Sequence, residues 1–376
     1  MKIGFVFDDS LDKPDGIQQY MFSLAEWLTT EGHEVHYLVG QTVRTDIPNV
    51  HSLSRNIKVQ FNGNRLSIPL LGSKKRIRAV LAAEKFDVLH VQVPYHPLMA
   101  GRVIAAADSS TAIFGTFHVA PYSKFVIIAT RLLGLWSKPT LKKFNTMVSV
   151  SPAAAELARQ TFGIETEVVP NVFDYQRFHR AMPLERYDDQ MKTIVFLGRL
   201  VPRKGCMLLL QAVAALKEPQ GSFRVVVCGG GPLEGDLRAY VKSQGLESIV
   251  EFVGRVSEAD KPRYFASADI AVFPSSAGES FGIVLIEAMA SGKAAVLGGN
   301  NPGYRSVLGK HPDQLINVTD PAELTGRLQT LLHHEPARVA AASWGMQESA
   351  QYDVKTVGKK LVTLYSEVAQ SSSKEA

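Results

Sequence analysis

The chain has 376 residues, 45% of them hydrophobic and 20% charged, with a formal net charge of +5. That length exceeds what a single hydrophobic core serves, so two domains are expected, each able to bury its own core. The composition excludes a disordered, collagenous, coiled-coil or repeat protein, and the mild, dispersed positive charge excludes a nucleic-acid footprint.

Residues 2–7 form a short apolar run that ends at Asp8 and Asp9. It is shorter than the roughly 7–15 apolar residues of a signal-peptide core, and no segment approaches the roughly 18 apolar residues of a membrane span. Two cysteines, Cys206 and Cys228, match no zinc or redox spacing, so a reducing cytoplasm is the expected setting. After Gly16, the residues Ile17, Tyr20, Met21, Leu24, Trp27 and Leu28 trace one helical face. Strand-like runs recur at 35–39, 57–61, 87–91, 112–116 and 146–150, separated by helical stretches that include a basic one over 71–83. Such alternation predicts a parallel sheet covered on both faces, with ligands beyond the carboxyl ends of its strands. Gly16, His90 and His118 fall at such ends.

A polar stretch over 178–190 reads as a linker, after which the pattern restarts. Strands at 193–197, 223–228, 249–253, 270–273 and 294–297 alternate with helices at 206–216, 233–244 and 282–290. The expected class is α/β, with two Rossmann-like, doubly wound parallel-sheet domains at 1–180 and 191–350. A stripe of Val354, Val357, Leu361, Leu364 and Val368 marks a last helix over 351–370, and 371–376 reads as a disordered polar tail.

Chemistry concentrates in the second half. Glu279 stands just before the helix over 282–290, beside the backbone N–H groups of Ser280, Phe281 and Gly282. Those donors and the helix dipole suit a phosphate, and Glu287, two turns on, suits the hydroxyls of the same ligand. Taken alone, Glu279 fits a capping acid and Glu287 a surface residue equally well. Gly198-Arg199 ends a strand and Arg203-Lys204-Gly205 precedes a helix, which places cations at the carboxyl edge of the second sheet. That suits a pyrophosphate, or else a solvated basic loop. Gly229-Gly230-Gly231-Pro232 invites a dinucleotide fingerprint, but the third glycine of that pattern would fall on Glu234, which disfavours a nicotinamide oxidoreductase. His118, in Gly115-Thr116-Phe117-His118, ends an apolar strand where an imidazole serves a sugar hydroxyl or simply the core. No grouping of His, Cys, Asp and Glu has metal-ligand spacing.

Taken together, Gly16, His118, Pro170-Asn171, Gly198-Arg199, Lys204-Gly205, Gly229-Gly230-Gly231-Pro232 and Glu279-Ser280-Phe281-Gly282 through Glu287 resemble the glycogen-synthase-like retaining glycosyltransferases of the GT-B fold, family 4. Within that group, Gly16-Ile17-Gln18, Asn62-Gly63, the basic helix, Thr116-Phe117-His118 and 278–287 look similar to the actinobacterial phosphatidyl-myo-inositol mannosyltransferases. The resemblance covers nearly the whole chain. It implies two domains facing a cleft, a last helix that crosses back to the first domain, and transfer of a hexose from a nucleotide-sugar donor with no metal or other cofactor. Mannose from GDP-mannose is favoured over UDP-linked sugars, and the acceptor is a lipid or glycan.

By the same resemblance Arg199 and Lys204 hold the donor diphosphate, Glu279 and His118 the transferred sugar, and Glu287 the ribose. Glu258 and Lys261 stand near the base. Gly16, Ser280, Phe281 and Gly282 complete the donor site, and Gln18 and Asn62 meet the acceptor. Lys74, Lys75, Arg76 and Arg78 oppose the macrodipole at a helix N-terminus, which a docking role on an anionic membrane at its cytoplasmic face would explain. Three positions depart from the pattern: Asp15-Gly16 where two glycines are usual, Asp9 for an aromatic, and Gln92 for the second histidine of a His-x-His. The competing readings are a soluble-acceptor transferase using a UDP-sugar and a non-catalytic sugar-nucleotide-binding module. Retention of Glu279, Arg199 and Lys204 speaks against the latter.

Overall fold

The structure, a computed structural model, describes the chain except residues 13–14, 62–63, 70–71, 121–123, 217, 219–220 and 376, and the side chains of 58–61, 64–68, 124–129, 132–133, 135 and 373–375. It divides into two compact units, Met1–Phe173 with Val354–Ala376, and Asp174–Asp353.

The first unit runs β1 (Lys2–Phe7), α1 (Gly16–Thr30), β2 (Glu34–Val39), β3 (Val50–Ser52), β4 (Asn56–Phe61), β5 (Asn64–Pro69), α2 (Lys74–Glu84), β6 (Val88–Gln92), α3 (Met99–Ala106), β7 (Ala112–Phe117), α4 (Lys124–Leu141), β8 (Thr146–Ser149), α5 (Pro152–Leu157) and β9 (Glu167–Val168). Seven parallel strands lie in the order β3-β2-β1-β6-β7-β8-β9. Every residue of β6 and β7 is buried, as a sheet covered on both faces demands, which is why these strands are mostly apolar, with His90, Gln92 and Thr116 as buried polar exceptions. The 57–61 run is different. It pairs antiparallel with β5 in a separate two-stranded ribbon. Asn56, Lys58 and Gln60 alternate with Ile57, Val59 and Phe61, a pattern that suits one covered face and not two.

The second unit opens with α6 (Tyr175–His179) and continues through β10 (Lys192–Leu197), α7 (Cys206–Ala214), β11 (Phe223–Cys228), α8 (Glu234–Ser243), β12 (Val250–Gly254), α9 (Lys261–Ala266), β13 (Ile270–Phe273), α10 (Ile283–Ala290), β14 (Ala295–Gly299), α11 (Pro302–Leu308), β15 (Leu315–Ile316), α12 (Pro321–His333) and α13 (Glu335–Ser349). Its six parallel strands are ordered β12-β11-β10-β13-β14-β15. The 178–190 stretch is part of this unit and not a free linker. Phe178 and Tyr187 are buried, the Tyr187 hydroxyl donates to Glu251 at 2.7 Å, and the Leu184 N–H donates to Ser267 Oγ at 2.8 Å.

α14 (Val354–Glu375) returns the chain to the first unit, where it packs on α1 and β7. The buried Tyr365 hydroxyl meets His90 Nδ1 at 2.7 Å. Residues 371–375, expected as a tail without order, are the last turn of this helix, and the buried Ser372 hydroxyl accepts from Asn145 Nδ2 at 3.2 Å. Among the described residues no helix is long and apolar enough to cross a membrane.

Each strand order reverses once, at β1/β6 in the first unit and at β10/β13 in the second. Connections leave such a point toward opposite sides, which opens a crevice at the carboxyl ends of the two strands.

Candidate active site

The loops after β10 and β13 meet at the second of these crevices. Lys204 Nζ donates to Glu279 Oε1 at 2.7 Å, the Arg203 guanidinium donates to the same oxygen at 2.9 Å, and Ser275 Oγ donates to it at 2.7 Å. The Arg203 carbonyl accepts from the Ser276 N–H at 2.9 Å, which laces the two loops together. Burial pushes the Glu279 carboxyl up, but Lys204 and Arg203 outweigh it and hold its pKa below the ordinary range. The acid and the cation expected on different parts of a donor therefore touch one another. Arg199 stands half-buried on the same loop as Lys204. In the sequence Arg203 reads only as one of the cations suited to a pyrophosphate, and Ser275 leaves no signal.

α10 starts at Ile283, one residue later than expected, and no side chain caps it. Its preceding residue, Gly282, has φ +105°, and a Cβ there would lie 2.7 Å from the Tyr304 ring, so glycine is required twice over. Ser280 lies in the approach to this helix terminus. The Phe281 ring is buried and packs edge-on against Tyr352 with ring centroids 5.3 Å apart, so the part expected of this residue, a backbone N–H toward a phosphate, does not involve its side chain.

Glu287 is buried on α10 and not at the surface. Lys261, at the start of α9, reaches Glu287 Oε1 at 2.6 Å and Glu258 Oε2 at 2.8 Å, so the three residues expected near ribose and base converge. Burial raises the Glu287 pKa against the pull of Lys261, while the two carboxylates overcome burial and raise Lys261. The glycine run after β11 has a packing purpose. A Cβ at Gly229 would lie 1.9 Å from the Gly198 carbonyl, and one at Gly231 2.4 Å from that of Leu200, so these glycines seat the loop that carries Arg199.

In the first unit His118 follows β7, buried, with Nε2 2.6 Å from Gln92 Oε1 and its ring edge-on to Tyr20. Burial lowers its pKa to about 3, so it is neutral near pH 7. Gln92, the departure from His-x-His, is thus the partner of His118. His90 is a core residue, bonded to Thr116 Oγ1 at 2.6 Å and to Tyr365. Gly16 opens α1. Gln18, expected to meet an acceptor, is buried; its Oε1 accepts from the Asp15 N–H and completes the cap of α1, and its Nε2 donates to the Ser10 carbonyl in the preceding loop. Asn62 lies outside the described residues. Lys74, Lys75, Arg76 and Arg78 are exposed on α2, whose Ile77 is buried. One grouping runs against the expectation of no metal-ligand set: His36, His51 and Glu84 offer ligand atoms within 4.8 Å of one another.

Residues 14–177 match the model of Glycosyltransferase Family 4, and 182–345 that of Glycosyl transferases group 1. The phosphatidyl-myo-inositol mannosyltransferase of Mycobacterium leprae is 30% identical over 379 residues, spanning 100% of this chain and 99% of the relative. That of Propionibacterium freudenreichii is 26% identical over 99% of this chain and 96% of the relative. Among solved structures, a glycosyltransferase from Rickettsia africae superposes with a TM-score of 0.78 at 16% identity over 98% of each chain. Anabaena HepE in complex with UDP and glucose gives 0.73 at 19% identity, over 98% of this chain and 100% of that one. The parallel sheets, the crevice with its clamped cations and these likenesses agree, and the chain belongs to the family 4 glycosyltransferases of the GT-B fold.

Proposed function

We propose that this glycosyltransferase moves mannose from GDP-mannose, with retention and without a metal, to a phosphatidylinositol-type lipid at the cytoplasmic face of the membrane. The observation that carries the reading is the set of cations around Glu279 at the β10/β13 crevice, next to the start of α10. A donor diphosphate competes with Glu279 for Lys204 and Arg203, and the released carboxylate accepts from a hydroxyl of the sugar. As the bond between the anomeric carbon and the phosphate oxygen breaks, charge builds on the departing diphosphate, and these fixed cations lower its energy. The acceptor oxygen bonds to the same carbon and its proton passes to the departing phosphate or to solvent. Glu287 and Lys261 serve the ribose and base end.

Mannose and inositol lipid come from the names of the relatives at 30% and 26% identity, and the guanine base from the family resemblance of the sequence. The exposed basic residues of α2 supply the contact with anionic lipid. Thermal-shift measurements with GDP, UDP, ADP and their common sugars test the donor. A ligand at a hundred times its dissociation constant adds about 2.7 kcal/mol, so GDP and GDP-mannose are expected to raise the melting temperature most. A response to UDP compounds alone would favour a UDP-sugar and a soluble acceptor. A response to none would refute the assignment of the crevice.

A further inference from the structure

A side-chain cluster in the first unit has the atoms and placement of a cation site. His36 on β2 and His51 on β3 project from one face of the sheet, because Leu38 pairs with His51 and residues two apart share a face. α2 covers that face through Ile77, which clusters with Leu38 and Leu53, and so carries Glu84, its last residue, over both imidazoles. His36 Nδ1 and His51 Nε2 are 3.0 Å apart, and Glu84 Oε1 is 3.7 Å from His51 Nε2. Ligands held by one ion at about 2.0–2.1 Å stand about 2.8–3.4 Å from each other at right or tetrahedral angles. The nitrogens already have that separation, and the carboxylate needs a small approach.

Behind His36, Glu34 Oε1 lies 2.9 Å from Nε2. A carboxylate there fixes the proton on the far nitrogen and turns the near lone pair toward a metal. Lys2 Nζ bridges Glu34 at 3.0 Å and Glu84 at 3.1 Å. Glu34 and Glu84 supply two carboxylates against the one ammonium that touches them, while Arg76 adds a positive charge near His51. The rings lie 4° from parallel, the orientation of an N–H···N hydrogen bond, and an ion would replace that proton by tilting one ring. The group opens on a surface depression also walled by Thr42, Arg44 and Asn49, so an ion reaches it from solvent.

We propose that His36, His51 and Glu84 bind one divalent transition-metal ion of the zinc type, with Glu34 as the outer carboxylate, and that the ion ties β2, β3 and α2 together. Mixed imidazole and carboxylate donors suit that class of ion and not calcium or magnesium. The site belongs to the first unit, whereas Lys204 and Glu279 belong to the second.

Tag-free, full-length protein stripped with EDTA is titrated with Zn²⁺ by calorimetry and with Co²⁺ by visible absorption. One saturable equivalent of each, a Co²⁺ ligand-field band and a raised melting temperature are expected. His51 is on an edge strand and Glu84 at a helix end, so His51→Ala and Glu84→Gln keep the fold by circular dichroism and lose the band. Glu34→Gln should weaken binding about tenfold or more. Wild-type protein without saturable binding, or a Co²⁺ spectrum unchanged in both His51→Ala and Glu84→Gln, overturns the site.

Discussion

Lys204 Nζ and Glu279 Oε1 are 2.7 Å apart, and Arg203 bonds the same oxygen. In the proposed reaction the donor diphosphate takes both cations over from this carboxylate on binding, so they already face the phosphate as charge develops. Lys204→Ala removes a contact that strengthens as the phosphate departs. It should lower kcat and kcat/KM together, by about 10²–10³-fold. Steady-state kinetics with the donor found by thermal shift would check this, and a rise in KM alone would contradict it.

Glu279→Gln keeps the shape and removes the charge. Lys204 and Arg203 lose their internal competitor, so nucleoside diphosphate should bind as well or better, while turnover falls for lack of the sugar-side carboxylate. Calorimetry and single-turnover assays separate the two effects, and unchanged turnover would refute the role.

Lys261 and Glu287 are both nearly buried, with 5% and 6% of their side chains exposed. Lys261→Met strands the carboxylate in a low-dielectric site and should cost about 3–5 kcal/mol in urea unfolding. Pairing it with Glu287→Leu should return most of that loss, because the stranded charge is then gone. If the double variant is no more stable than the single one, the buried pair is not the source of the effect.

His118 has its pKa lowered by burial from an ordinary 6.5 to about 3. The unfolded chain therefore binds more protons than the folded one between those values. The contribution is present in full above pH 6.5 and is lost progressively as pH falls toward 3. His90, also lowered by burial, acts in the same direction. Melting temperatures measured from pH 7.5 down to 4.5 should fall less steeply for His118→Gln than for the wild type. Parallel curves would exclude His118 as a source of acid sensitivity.

The basic face of α2 predicts salt-dependent membrane binding. Four residues at about 1 kcal/mol each give roughly 4 kcal/mol, enough for reversible docking on vesicles rich in acidic lipid. Flotation should show wild-type protein with such vesicles at low salt, release as salt rises, and no binding when Lys74, Lys75, Arg76 and Arg78 are changed to Ser or Gln. Wild-type protein that stays free of the vesicles at low salt would remove the lipid acceptor from the reading.

The sequence by itself determined the α/β class and the position of the donor motif. Strands buried on both faces are near-continuous apolar runs, as in 225–228, and a helix entered through a required glycine leaves the string Glu279 to Gly282. Such features depend on neighbours a few residues away. The tertiary structure decided everything that depends on a partner far along the chain. Whether Ile57 joined the main sheet turned on its pairing with Ile68. Where the Phe281 ring packs turned on Tyr352, and whether the serine-rich end was ordered turned on Asn145. Lys261 finds Glu287, Gln92 finds His118, and His36 finds His51 and Glu84 only because strand order and helix placement bring them together. A charged or polar side chain takes its electrostatic character from whatever lies within a few ångströms, and that is settled by β10 beside β13, β6 beside β7, and α2 over β2 and β3.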